Sequence, residues 1–132
     1  MFGFIERRCP TARILLVDNH EGARSLLLSV LRHEHFEVCG EAENGQQALA
    51  KVVELHPDVV VLDLLMPQMN GIEAAPRIRE LAPATKIVLI SGCLPPQFGS
   101  EAVRHTGAQA YVEKWAAVTD LVPAIRAVLQ NE

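Results

Sequence analysis

The sequence predicts an α/β domain, a single five-fold alternation of strand and helix built around a buried parallel sheet. Three observations predict it. Short apolar, β-branched runs, Ile14-Leu15-Leu16-Val17, Val59-Val60-Val61-Leu62, Ile87-Val88-Leu89-Ile90 and Ala110-Tyr111-Val112, lack polar alternation, as strands covered on both faces do. The stretches between them repeat apolar residues at helical spacing, which makes the connections crossovers and the strands parallel. Each run is closed by a polar residue: Asp18, Asp63, Ser91 and, two residues after the last, Lys114. In parallel sheets the crevice beyond the carboxyl ends of the strands is where ligands bind, so two carboxylates, a hydroxyl and an ammonium converge on one edge. That set suits a phosphoryl group held with a divalent cation.

The elements follow in order. Residues 1–12 read as an arm ahead of a domain spanning 13–132. In Met1-Phe2-Gly3-Phe4-Ile5-Glu6-Arg7-Arg8 the basic pair comes after a very short apolar stretch, the reverse of a secretory signal. A first helix over about Glu21 to His33 repeats Ala23, Leu26, Leu27, Val30 and Leu31 at helical spacing, and Phe36 to Gly40 forms a short second strand. Asn44-Gly45 turns into a second helix, about Gln46 to Leu55, with Leu49, Val52 and Val53 on one face and His56-Pro57 as its stop. The third strand, about Asp58 to Asp63, leads through a loop ending at Gly71 to a third helix that ends near Leu81. Pro76 lies inside it, lacking a donor and crowding the carbonyl four residues back, so a kink or a late start is expected. Pro95, Pro96 and Gly99 then predict a long loop and a short, mobile fourth helix over about Ser100 to His105. The last helix, about Asp120 to Gln130, takes Thr119 as N-cap, which leaves Pro123 among positions whose N–H needs no partner. It turns Leu121, Ile125, Val128 and Leu129 inward.

The 132 residues suffice for one domain that buries about two-thirds of its unfolded surface without staples. A net charge of -4 with no basic stripe argues against direct nucleic-acid binding. Cys9, Cys39 and Cys93 have neither the pairing nor the spacing of a zinc or redox site, so a reducing cytoplasm is expected. No apolar run approaches the roughly 20 residues needed to cross a bilayer. His20, His33, His35, His56 and His105 lack metal-ligand spacing and read as a solvated surface. Trp115, the sole tryptophan, is expected to be partly buried against the last helix.

The chemistry lies in the four strand-end residues taken together. A carboxylate attacks a phosphoryl group in line, a cation bridges acids and phosphoryl oxygens, and hydroxyl and ammonium donors neutralise the remaining charge. The stretches Ile14-Leu15-Leu16-Val17-Asp18, Pro57 to Gly71 with Asp63, Met66-Pro67 and Gly71 at their spacing, and Gly107 to Lys114 with Tyr111 three residues before Lys114, resemble the receiver domain of two-component response regulators. The resemblance covers about residues 12 to 130. Val38-Cys39-Gly40-Glu41-Ala42-Glu43-Asn44-Gly45 leans toward the NarL/LuxR-type subfamily.

The resemblance implies a flavodoxin-like, CheY-like, doubly wound five-stranded parallel sheet of order 2-1-3-4-5. It implies Asp63 as phosphoacceptor, with the phosphohistidine of a sensor histidine kinase or phosphotransfer protein as donor. Mg²⁺ would be held by Asp18, Asp63 and the backbone carbonyl of Leu65. Ser91 would bond a phosphoryl oxygen, Lys114 would pair a carboxylate and then the phosphoryl group, and Tyr111 would turn inward as a rotamer switch. An output partner or a second copy would read the face formed by residues 100–130.

One position departs from the pattern. Receivers carry two adjacent acids where this chain has Asp18-Asn19, so an uncharged amide stands at a metal position and weak Mg²⁺ binding with slow phosphorylation is expected. Leu65 and Cys93, each two residues past a site residue, are poor water-orienting groups, so a long-lived phospho-form is expected. The competing reading is a phosphorylation-impaired pseudo-receiver acting as a protein-binding module. A phosphohydrolase of the haloacid dehalogenase type fits less well, because position 65 is Leu where that family has a second aspartate. A nucleotide-binding flavodoxin-like protein lacks its glycine-rich cradle at Asn19-His20-Glu21-Gly22.

Overall fold

The structure, a computed structural model, describes residues 11–92 and 96–130. Strands β1 (Arg13–Val17), β2 (Glu37–Ala42), β3 (Val59–Asp63), β4 (Lys86–Ser91) and β5 (Ala110–Glu113) form one sheet in the order β2-β1-β3-β4-β5, every pair parallel. Helices α1 (Glu21–His33), α2 (Gly45–Leu55), α3 (Gly71–Leu81), α4 (Pro96–Thr106) and α5 (Ala117–Gln130) make the crossovers.

Strand alternation divides the core in two. Leu15, Val17, Val60, Leu62, Ile87 and Leu89 pack under α2, α3 and α4, whereas Ile14, Leu16, Val59, Val61, Val88 and Ile90 pack under α1 and α5. All twelve are fully buried, which is why these strands read as continuous apolar runs. The α3 N-terminus is a capping box: Asn70 accepts from the Glu73 backbone N–H at 2.9 Å, and Glu73 accepts from that of Asn70 at 3.2 Å. Gly71 is required behind it, because a Cβ there would lie 2.5 Å from the Asp63 carbonyl oxygen.

Several expectations are corrected. Helix α3 does not start late, because the capping box fixes its start at Gly71, and it runs through Pro76 to Leu81. Both Pro76 and Ile72 are exposed, so the carbonyl deprived of its donor lies on the solvent side. Helix α4 begins at Pro96, ahead of the expected Ser100, consistent with the suitability of proline's fixed φ for a first helical position. Thr119 is not an N-cap: a 3₁₀ turn over Lys114–Ala116 runs straight into α5, and the Thr119 hydroxyl donates to the Ala116 carbonyl at 3.1 Å. The buried stripe of Ala117, Leu121, Val122, Ile125 and Val128 starts before the cap signal, leaving Pro123 in the helix interior. Leu26 and Val53 sit at the edges of their stripes and face outward, and Trp115 is 78% exposed rather than packed on α5. The expectations for residues 1–10 and Cys93 lie outside the described residues, as does everything at 131–132.

Candidate functional site

The site is assembled by four strand ends. Asp18 follows β1 directly, Asp63 is the last residue of β3, Ser91 the last of β4, and Lys114 follows β5. The register pairs Asp63 with Ile90, and Leu64 N–H donates to the Ile90 carbonyl at 2.9 Å, fixing the Asp63 and Ser91 backbones side by side.

Asp18 and Asp63 are oriented by the same device. Asp18 Oδ1 accepts the His20 backbone N–H at 2.9 Å, and Asp63 Oδ1 accepts that of Leu65 at 3.1 Å, so each carboxylate is held by the amide two residues on. The remaining oxygens meet a single cation: Lys114 Nζ lies 2.9 Å from Asp18 Oδ2 and 3.0 Å from Asp63 Oδ2. Both carboxylates and Ser91 are buried. Arg24 braces the loop from outside, donating to the Asp18 carbonyl at 2.6 Å while its Nε pairs with Glu41 at 3.0 Å.

Burial pushes the Asp63 carboxyl upward, with the nearby Asp18 charge adding to the shift, against the bonds from Lys114 and the Leu65 N–H. For Lys114, burial works downward, but the bonds to Asp18 and Asp63 outweigh it and the ammonium is held above its ordinary value. The pocket therefore favours a fixed positive charge on Lys114 and a carboxyl at Asp63 that is costly to keep ionised without compensation.

Two hydroxyls stand without partners. Ser91 Oγ and Tyr111 OH are both fully buried, and neither makes a hydrogen bond among the described residues. Burial and then the Glu113 charge raise the Tyr111 phenol, and the neighbouring Ser91 hydroxyl partly opposes them. The two residues sit on paired strands, Tyr111 opposite Leu89 and Glu113 opposite Ser91.

The pocket mouth, about 310 Å³, is lined by His20, Ala23, Asp63, Leu65, Gly92 and Lys114. Asn19 stands exposed beside it. Leu65 is 55% exposed and also walls an apolar groove with Ile72, Phe98 and Ala102. Among the described residues, no group of three His, Cys, Asp or Glu side chains is placed to hold a metal. The donor set fits Mg²⁺ nevertheless, since that ion is commonly held by one or two carboxylates with the rest of its shell from water and phosphate. Two carboxylate oxygens already converge on one cation here.

All seven residues singled out in the sequence lie at this edge, with Asn19 and Leu65 on its outer rim. His20 and Arg24 were missed as neighbours of the pocket. The signal for His20 was its position two residues after an aspartate at a strand end; Arg24 had none in its own neighbourhood, because its carboxylate partner is on β2.

The family described as response regulator receiver domain matches residues 14–126. The chemotaxis protein CheY of Thermotoga maritima is 35% identical over 116 residues, 88% of this chain and 96% of the relative. The response regulator protein VraR of Staphylococcus epidermidis is 33% identical over 121 residues, 91% of this chain and 57% of the relative, so the chain spans little more than half of that protein's length. The crystal structure of a LuxR-family two-component response regulator from Aurantimonas sp. SI85-9A1 aligns with a TM-score of 0.82 at 36% identity, covering 91% of this chain and 86% of that one.

Proposed function

The chain belongs to the response regulator receiver domain family, a signalling module of two-component systems, and from that premise we propose that Asp63 is its phosphoacceptor. The observation that carries this reading is the juxtaposition of a buried Asp63 carboxylate, held at 3.0 Å by the Lys114 ammonium, with a buried Ser91 hydroxyl that has no partner among the described residues. Burying an unpaired hydroxyl is costly, so its place beside a carboxylate fits a group that arrives and accepts its proton.

In the proposed step, an Asp63 carboxylate oxygen forms a bond to phosphorus while the P–N bond of the donor phosphohistidine breaks, and the imidazole takes the electron pair. Ser91 donates to a phosphoryl oxygen, and Lys114 follows the new negative charge. Asp18, Asp63, the Leu65 carbonyl and the Asn19 amide would hold Mg²⁺, which when bound neutralises charge on the phosphoryl oxygens. The donor is a sensor histidine kinase or phosphotransfer protein, the setting is the cytoplasm, and residues 13–132 form the signalling unit. The output surface is the face of α4, β5 and α5, where Trp115 and Val118 stand exposed.

Incubation with Mg²⁺ and acetyl phosphate is expected to add one phosphoryl group by intact mass, with acetate leaving, and none to Asp63→Asn. An equal adduct on Asp63→Asn, or none on the unaltered protein, overturns the assignment. Because an apolar Leu65 cannot orient a hydrolytic water, the adduct is also expected to outlive that of Leu65→Asn by roughly tenfold or more. Equal decay of the two adducts would remove Leu65 from this role.

A further inference from the structure

Helix α4 carries a glycine at its fourth position, Gly99, where helical propensity disfavours it and no turn needs it. Its packing supplies the reason. Gly99 is buried, and a Cβ built on it would lie 2.6 Å from Cε2 and 2.9 Å from Cγ of Tyr111, and nearer still to Cδ2. The obstacle is the body of a ring rather than the end of a flexible chain. That ring packs against the core cluster containing Leu89, Ala102 and Ala108, so it has no short retreat. The aromatic occupies the volume that any other side chain at position 99 would fill.

The same ring carries its hydroxyl into the interior, on the strand paired with the one that ends at Ser91. A buried phenol without a hydrogen bond is unfavourable, and something must hold it there. The contact that does so is the van der Waals seat on α4 opened by the missing side chain.

We propose that Gly99 is a notch that seats Tyr111 inward before phosphorylation, so that a phosphoryl group on Asp63 locks the ring through Ser91 instead of drawing it in. Gly99 is thus a positioning residue for the surface of α4, β5 and α5. At rest that surface already has much of its switched shape, and its partner is bound at a basal level that phosphorylation increases only modestly. This inference rests on the assignment of Ser91 and Tyr111 as the switch pair, but it concerns the state without phosphate and stands or falls separately from the chemistry at Asp63.

Tyr111 is the only tyrosine, so 3-fluorotyrosine labelling gives a single ¹⁹F resonance from the folded chain. Without phosphoryl donor, that resonance is expected to show almost none of the H₂O-to-D₂O shift of an exposed fluorotyrosine, and Asp63→Asn is expected to behave alike. Gly99→Ala is expected to move it to the fully solvent-sensitive position. Thermal melts give an independent reading that requires no label. Gly99→Ala should lower Tm in the unaltered protein and raise it in a Tyr111→Ala background, where the notch is empty and only helix propensity remains. A solvent-exposed resonance in the unphosphorylated protein overturns the proposal, as does a Gly99→Ala change that leaves the resonance in place or shifts Tm in the same direction in both backgrounds.

Discussion

Lys114→Met is expected to lower the unfolding free energy at neutral pH by roughly 3 kcal/mol, the low end of the range for removing one partner of a buried ion pair. The reason is the asymmetry of the site. Two carboxylates, 0% and 3% exposed in their side chains, share one ammonium that is itself 20% exposed, and its removal leaves both facing each other without compensation. Partial access of water to Lys114 keeps the loss from being larger. The pH dependence follows from the directions of the shifts. The Asp63 carboxyl is raised, so lowering the pH through its folded value neutralises it and shrinks the penalty in the variant. The Lys114 ammonium is also raised, so its stabilisation is complete below the ordinary lysine value of about 10.4 and is lost as pH rises through the higher folded value. Tyr111, raised as well, loses its contribution in the same alkaline direction from about 10 upward. Urea unfolding from pH 5 to 11 should therefore show a steep alkaline decline in the unaltered protein and a shallower one in Lys114→Met. A variant within about 0.5 kcal/mol of the parent at pH 7 would mean that the ammonium contributes no net stabilisation.

Asn19→Asp is expected to tighten Mg²⁺ binding ten- to hundredfold. A unit charge about 4 Å from another contributes roughly 4 kcal/mol at an effective dielectric near 20. Asn19 is exposed, and water reduces this to about 1.4–2.8 kcal/mol, which is that range of affinity. The substitution also changes the competition within the pocket. In the parent, two carboxylates and the Lys114 ammonium leave a single excess negative charge, and a divalent ion must share the carboxylates with the ammonium; a third carboxylate doubles that excess. Trp115 lies next to Lys114 in sequence and its indole N–H bonds Glu113 at 2.7 Å, which makes its fluorescence a convenient titration signal. Calorimetric titration of both proteins at neutral pH decides the matter. Micromolar affinity in the parent would mean that the amide at position 19 serves as well as an acid.

The central strands and the four strand-end residues were legible because a sheet covered on both faces demands uninterrupted apolar runs, and the first polar residue after such a run marks its end to within a residue or two. Asp18, Asp63, Ser91 and Lys114 needed no tertiary information beyond parallel pairing. Helix boundaries were less legible. The Pro95-Pro96 pair reads locally as a break, yet α4 opens with Pro96; Thr119 reads as a cap, yet the buried face of α5 begins at Ala117. At α5 packing on the sheet outweighed a cap signal worth about 1 kcal/mol, whereas at α4 the second proline of the pair itself suits a first helical position. Periodicity located the inner stripe of each helix but not its width, hence the outward Leu26 and Val53. The contact between Gly99 and Tyr111 joins residues on different elements, and nothing near either position announces it.

Lys114 reaches its carboxylates from the end of β5, a four-residue strand at the sheet's edge that among the described residues is bonded to β4 alone, whereas Asp18 and Asp63 stand at the ends of interior strands. Edge strands breathe by local openings that leave the rest of a domain folded. Each opening of β5 loosens the tether of the pocket's internal cation and lets two anions confront one another. The electrostatic closure of the pocket and the fastening of the sheet's margin are therefore one equilibrium, and any cation that relieves Lys114 of its charge-balancing task loosens the tie between that margin and the centre of the molecule.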